Sequence, residues 1–364
     1  MSHIRYAVLL SFGFFLSGYL LFVQKLNKVI ALVFVVIIAA GLYQLNSFTS
    51  YIAITIAILF LFLRSLKGVF VRHRLAVIAS FFLSLAVIAS YFISVYQEMN
   101  TPKVEIVNTE LPKYSPNGEK YLHDTINNTL ENGFYLWRNI AEIELVTAWN
   151  KASNIPFYAF DKRGQEIKYT IYRYMTSMGL RKDANSLSQL RRGDVIRIEN
   201  GETTYLKYNL FEKRLRSLIF EFQQYKQTKN PNNPTLIQRF FYWKIALKTF
   251  SKHWFFGYGT GGYKEAMSKE YKMASSILEI ENQKFPHNQF LTQLINLGLF
   301  GFILWLTVLV SPLLYTKIYR NPLCFVFGIL MVVSMLSDDM LERQSGVSIF
   351  SFIYTLFITQ RKEN

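Results

Sequence analysis

The sequence predicts an all-α fold, a polytopic bundle of membrane helices carrying a large, mainly helical loop outside the bilayer. Three observations predict it. Hydrophobic residues fill 51% of the 364 positions and charged ones only 18%, against roughly 25% charged in an ordinary soluble chain. The apolar residues are bunched: 6–23, 29–46, 48–63 and 75–96, then 289–315, 322–337 and 345–359, each run without a charge. The third observation is the gap itself, residues 97–286, far longer than a connector. The apolar content excludes a disordered chain, and the single Cys324 excludes a disulfide scaffold.

A bilayer core of about 30 Å is crossed by about 20 apolar residues as helix. The seven stretches are therefore read as seven spans, with 322–337 and 345–359 short enough to thin the bilayer or snorkel their ends. Lys25 and Lys28, then Arg64, Lys67, Arg72 and Arg74, then Lys317 and Arg320, and finally Arg361 and Lys362 all fall in alternate connections. Asn46–Ser47 and Ser337–Gln344 are nearly free of such residues. The positive-inside rule puts the basic connections in the cytoplasm and the long loop outside it. This divides the chain into a four-span membrane part (1–96), a loop domain (97–286) and a three-span part (287–364). Met1, Ser2 and His3 then fall on the outer face without a cleavable leader, so an N-terminus shortened by upstream helices is expected. The formal charge of +16, from 40 Lys and Arg against 24 Asp and Glu, suits anionic membrane lipids. Its split across two sides of a membrane argues against nucleic acid.

Within the loop, a polar linker (101–120) precedes an expected helix over 122–150. A helix, a stop at Gly179 and a second helix are expected over 169–194, and another helix over 205–227. Asn233 and Pro234 then supply an N-cap and a first helical position. The helix that follows sets Leu236, Phe240, Trp243, Leu247 and Phe250 on one stripe, with Arg239, Lys244 and Lys248 off it. That stripe suits either the lipid surface or a protein neighbour.

None of the five histidines (His3, His73, His123, His253, His287) pairs at a metal-ligand spacing, and Asp338–Asp339 alone is a weak divalent-ion signal. No metal or cofactor is expected. Gly257, Gly259 and Gly262 fit G-x-G-x-x-G, but they follow a helix rather than a strand. They are read as a tight turn whose N–H groups can approach an anion. His287 follows Pro286 and directly precedes a span, so it sits at the membrane–water boundary. With an ordinary pKa of about 6.5 it can take a proton at neutral pH, although an interfacial histidine also serves as a structural residue. Arg239, Arg214 and the connection from Asp338 to Glu342 fall on the same side. A base beside guanidinium groups at lipid depth suits a diphosphate tethered to a lipid, which arginine grips in bidentate fashion.

Two stretches, QRFFYWKIALKTFSKHWFFGYGTGGY and HNQFLTQLINLGLFGF with His287 and Gly298, resemble the O-antigen ligase and polymerase family of bacterial membrane glycosyltransferases. YTIYRYMTSMGLRKDA and SDDMLERQSG look like its Bacteroidetes-type branch. The resemblance implies a GT-C-like bundle in the bacterial inner membrane, with a periplasmic loop over the site. It implies transfer of a glycan from an undecaprenyl diphosphate carrier, without a metal and with inversion. For a ligase the acceptor is lipid A–core; for a polymerase it is another carrier-linked repeat. The family's histidine corresponds to His287 and its helix arginine to Arg239. Its second loop arginine fits Arg214, with Arg216, Arg173 and Arg181 as competitors, and Asp338 or Glu342 can orient the histidine or an arginine. Family ligases have around twelve spans, against the seven read here. Other readings are a repeat-unit polymerase, a protein O-oligosaccharyltransferase, and a non-catalytic transporter or scaffold. Transporters usually place ionisable groups inside spans, whereas these spans are clean.

Overall fold

A computed structural model describes residues 3–22, 27–65, 71–103, 111–232, 235–274 and 277–359. Met1, Ser2, Lys25, Lys67, the Asn233–Pro234 helix start, Arg361 and Lys362 lie outside the described residues. The chain forms two compact units, one of residues 1–78 with 237–364 and one of 79–236. The stretch 237–286, read from the sequence with the loop, thus packs with the membrane helices.

Four apolar helices open the chain: α1 (His3–Phe22), α2 (Lys28–Leu45), α3 (Phe48–Ser65) and α4 (Val71–Asn100). The protein is an all-α, multi-pass membrane protein. Alpha-helix is forced here because hydrocarbon offers the backbone no partner, so each N–H must bond within its own segment.

In the second unit the expected helix over 122–150 is present only as α5 (Glu142–Ala152). Ahead of it, Leu130–Glu131 (β1) and Phe134–Tyr135 (β2) pair antiparallel. Asn132 and Gly133 between them both have positive φ (51° and 83°). Asn-Gly is the strongest short hairpin signal, since both central residues of the turn need φ > 0. The apolar residues around it had been counted as helical. α6 (Ile167–Ser177) ends before Gly179 as expected, but the second helix is only the turn α7 (Ala184–Leu187), capped by Asp183, before α8 (Arg192–Glu199). α9 (Leu210–Thr228) starts later than expected, where the Asn209 side chain accepts from the Glu212 N–H at 2.8 Å. Trp149, Tyr174, Leu145, Ile171 and Met175 are wholly buried, and Val95 and Met99 of α4 join Leu215 and Phe220 of α9 around them.

Lys182 is buried in this core, donating to the carbonyls of Arg138 (2.9 Å) and Tyr135 (3.4 Å). A neutral amine satisfies both acceptors, and burial pushes its pKa down to about 7. Between pH 7 and its ordinary value near 10.4 the unfolded chain then binds the extra proton, so stability rises with pH across that window. Thermal unfolding of the full chain at pH 7 and pH 9.5 is expected to show this rise, by at most about 1.4 kcal/mol per pH unit, and to lose it in Lys182→Met.

The first unit is completed by α10 (Thr235–Lys252), α11 (Tyr263–Met273), α12 (Gln289–Tyr315), α13 (Pro322–Met335) and α14 (Gln344–Thr359). Among the described residues α1, α2, α4 and α12 are long and apolar enough to cross a membrane, and α3, α13 and α14 are shorter apolar helices. α13, apolar all round, is the buried helix: Val326, Phe327, Leu330 and Met331 pack with Val8 and Phe12 of α1, Ala53 and Ala57 of α3, and Ile353 of α14. Two contacts fix which ends lie together. Arg64 Nη2 donates to the Arg320 carbonyl at 2.8 Å at one end, and Arg5 meets Asp338 at the other. Basic connections therefore share an end opposite the 338–342 connection.

Candidate functional site

The site is built where α10, the start of α12 and the α13–α14 connection meet. α12 begins cleanly because the Asn288 side chain accepts from the N–H groups of Phe290 (3.0 Å) and Leu291 (3.2 Å). His287, just ahead of that cap, takes a left-handed conformation (φ 47°), which turns its ring out of the helical path. Pro286 before it accepts from Trp243 Nε1 at 3.0 Å, and the Tyr242 ring lies 6.3 Å from the imidazole, so α10 holds the segment from one side.

On the other side His287 Nδ1 stands 3.8 Å from Asp338 Oδ1, with the imidazole side chain 40% exposed. Arg5 of α1 donates from Nη2 to Asp338 Oδ2 at 3.1 Å and to the Asp339 carbonyl at 3.3 Å. Burial alone would raise the Asp338 pKa, but His287, the Arg5 guanidinium and the Asp339 backbone outweigh it and hold the carboxyl below its ordinary value. Asp338 thus stays ionised at neutral and mildly acidic pH. Its neighbour goes the other way. Burial, with the charges of Asp338 and Glu342, raises Asp339 despite the 2.7 Å hydrogen bond it accepts from Thr292 and the nearby imidazole.

Glu342 is bonded to the first turns of α12. Its Oε1 accepts from Gln289 (3.3 Å) and Gln293 (2.9 Å) on α12, while Gln289 Oε1 accepts from the Leu341 N–H at 2.6 Å. These bonds pin the connection onto the first turn of α12. Arg239 is half-buried on α10, one turn before Trp243, and its charge reaches the Tyr242 phenol. Arg239, Tyr242, His287 and Asp338 therefore belong to one neighbourhood.

Arg214 and Arg216 lie on α9 of the other unit. Arg216 is committed, at 2.7 Å to Glu98 and 3.0 Å to Glu212, and stacked on Tyr208. Arg173 is held likewise by Glu131 at 2.6 Å and the Phe220 face. Arg214 makes no ion pair among the described residues.

Along α10 Ile237, Gln238, Tyr242, Ile245, Ala246 and Thr249 are buried, whereas Phe240 and Leu247 of the expected stripe are each 52% exposed, as a stripe that meets lipid would be. The glycine turn uses its N–H groups otherwise than expected. Tyr258 and Gly259 donate to the Ile295 and Asn296 carbonyls of α12 at 2.9 and 2.8 Å, which leaves neither for an anion.

Arg5 was missed by the sequence reading. Its signal is a lone charge at the start of an otherwise uncharged span, where an ionisable group is retained only with a partner. Arg5→Ala strands Asp338 with 15% of its side chain exposed; removing one partner of a buried pair costs about 3–5 kcal/mol, with the lower end expected at this exposure. Thermal unfolding should register the loss, and Asp338→Asn on the Arg5→Ala background should recover part of it.

Residues 194–306, which run from α8 through α10 and His287 into α12, match the family described as O-Antigen ligase. A protein of Haemophilus influenzae named only as uncharacterized is 30% identical over 151 residues, covering 39% of this chain and 37% of that protein. The chain thus spans about a third of the length of the curated relative it matches. No solved structure matches it. The matched stretch contains Arg214, Arg216, Arg239 and His287, whereas Asp338, Glu342 and Arg5 lie outside its limits.

Proposed function

We propose that the protein is an O-antigen ligase of the bacterial inner membrane, moving a glycan from an undecaprenyl diphosphate carrier to lipid A–core at the periplasmic face. The observation that carries this reading is the half-exposed His287, backed by an ionised Asp338 at the mouth of an apolar helix and flanked by Arg239. With Nδ1 turned to Asp338, Nε2 is the ring nitrogen left for substrate. It accepts the proton of the acceptor hydroxyl as that oxygen attacks the anomeric carbon. The carrier diphosphate leaves from the opposite face, which inverts the centre. Arg239 supplies fixed positive charge to the leaving diphosphate near a low-dielectric boundary, where such contacts are stronger than in water.

The test is transfer by the purified protein with carrier-linked glycan and lipid A–core in excess chelator. Transfer should persist there and fall about tenfold or more in Arg239→Lys, because lysine has no fork to match two phosphate oxygens. Strict dependence on added Mg²⁺ or Mn²⁺ would contradict the scheme. Lipopolysaccharide banding after deletion separates the two family activities: polymer left on the carrier and absent from the core means ligase, and a single repeat on the core means polymerase.

A further inference from the structure

Helix α10 carries apolar residues on the side turned away from the protein. Tyr242, Ile245 and Ala246 face inward and pack with Tyr263, Met267 and Ile295. Phe240 and Leu247, about two turns apart on nearly the opposite side, are uncovered. Trp243 and Phe250 lie half-buried on the same stripe, and Lys244 borders it. Past the end of the helix the apolar surface runs on into Trp254, Phe255 and Phe256, all exposed. Phe255 stacks on Phe300 of α12 at 5.8 Å, and Phe256 meets the same ring edge-on at 6.1 Å. One turn further along α12, Ile303 and Leu304 are exposed on a helix long and apolar enough to span the membrane. The aromatic surface of 254–256 is thus continuous with one that lipid covers.

The depth of that surface follows from α12. From Leu299 to Tyr315 the helix is uncharged and about 25 Å long at 1.5 Å per residue, and the basic Lys317 and Arg320 follow it. A bilayer core is about 30 Å thick, so Gly298 lies within about one turn of the opposite boundary. The polar Gln289, Thr292, Gln293 and Asn296 come before it. The Trp254 and Phe255 carbonyls accept from the Leu299 and Phe300 N–H groups, which sets the 254–256 segment at the same level. Membrane–water boundaries are where tryptophan is enriched.

We infer that α10 and the 254–256 segment form an anchor seated in the lipid interface, with Phe240, Leu247 and the three aromatic residues among the upper acyl chains and Lys244 at the head groups. An interfacial helix of this kind sinks its apolar face by about 5–10 Å. A lysine at the border of the stripe lays its stem on the apolar side and keeps its ammonium among the phosphates. Arg239 and Trp243 ride on the same helix, so the anchor also fixes their height beside Pro286 and His287. This seating is independent of the chemistry assigned to His287.

The test is a nitroxide scan of the full chain in nanodiscs of phosphatidylcholine and phosphatidylglycerol. The label is attached through the single substitutions Phe240→Cys, Lys244→Cys, Leu247→Cys and Phe256→Cys. Val308→Cys on α12 is the lipid reference and Glu265→Cys on α11 the water reference, both at exposed positions. Cys324 is buried and stays in place, and the unaltered chain treated alike is the blank. Collisions with oxygen, which concentrates in lipid, are compared with collisions with a neutral nickel chelate, which stays in water. At 240, 247 and 256 the oxygen-to-nickel ratio is expected to rise severalfold above that at 265, toward that at 308, with 244 falling between. A ratio at 247 or 256 equal to that at 265 would place the surface in water and overturn the inference. Few collisions with either reagent there would mean that protein covers it, from the second unit or a second copy, and would overturn it as well.

Discussion

Glycan transfer is expected to fall by about 10²–10⁴-fold when His287 is replaced by alanine, the share a positioned general base usually contributes. Protein level and membrane insertion should stay unchanged, because the imidazole is 40% exposed and its neighbours keep other partners: Asp338 retains Arg5 and Tyr242 donates to Gln238 at 3.0 Å. A base role and a packing role thus predict different outcomes. If His287 only filled space, glutamine or asparagine, which also tolerates the left-handed backbone, would restore transfer. As a base it is replaced by neither. Asp338→Asn adds a second reading, since it keeps the shape at Arg5 but removes the charge beside the imidazole, and it should lower transfer less than His287→Ala does. Full transfer by His287→Ala in a chelated, donor-saturated assay would remove the enzymatic reading.

The parts of this molecule that sequence made legible are those imposed by solvent. Seven apolar stretches became helices because a lipid environment leaves the backbone no alternative, and the uncharged run from residue 289, just after Pro286 and His287, marked the start of α12. His287 and Arg239 were readable because they belong to one contiguous region on either side of a glycine turn. The Arg5–Asp338 bond joins residues 333 positions apart, and no local pattern announces such a pairing. The hairpin at Asn132–Gly133 did carry a local signal, which was outvoted by the apolar residues around it. On α10 the periodicity located the stripe but not what covers it: Phe240 and Leu247 are exposed, while Ile237, Tyr242 and Ile245 on another face are buried.

Gly298→Ala should be a strongly damaging single-methyl change in the membrane unit. Gly298 has φ 63° and ψ −177°, a region essentially confined to glycine, and α12 breaks there. In an unbroken helix the Ile295 and Asn296 carbonyls would accept from Leu299 and Phe300. Here the 254–259 segment inserts into the break and takes over all four groups. Tyr258 and Gly259 donate to Ile295 and Asn296, while Leu299 and Phe300 donate to Trp254 (2.7 Å) and Phe255 (3.1 Å). A Cβ at Gly298 would overlap the Phe255 carbonyl, and one at Gly257 would overlap the Gly298 N–H, so both glycines are required by a backbone-to-backbone approach rather than by a turn alone. Alanine at 298 leaves two choices. Either the clash persists, or α12 straightens, expels the segment and re-aims its first half, on which His287 and the Glu342 contacts depend. The first costs a steric overlap with backbone, and the second leaves the Trp254 and Phe255 carbonyls and the Tyr258 and Gly259 N–H groups without these partners, so a loss above about 4 kcal/mol is expected, with transfer lost as well. Gly257→Ala should behave alike, whereas Gly328→Ala in α13, where an added Cβ meets nothing within 4 Å, should be nearly silent. Thermal unfolding in micelles of the three variants beside the parent decides it: a Gly298→Ala protein as stable as Gly328→Ala would mean that the break in α12 is not held by this exchange of bonds.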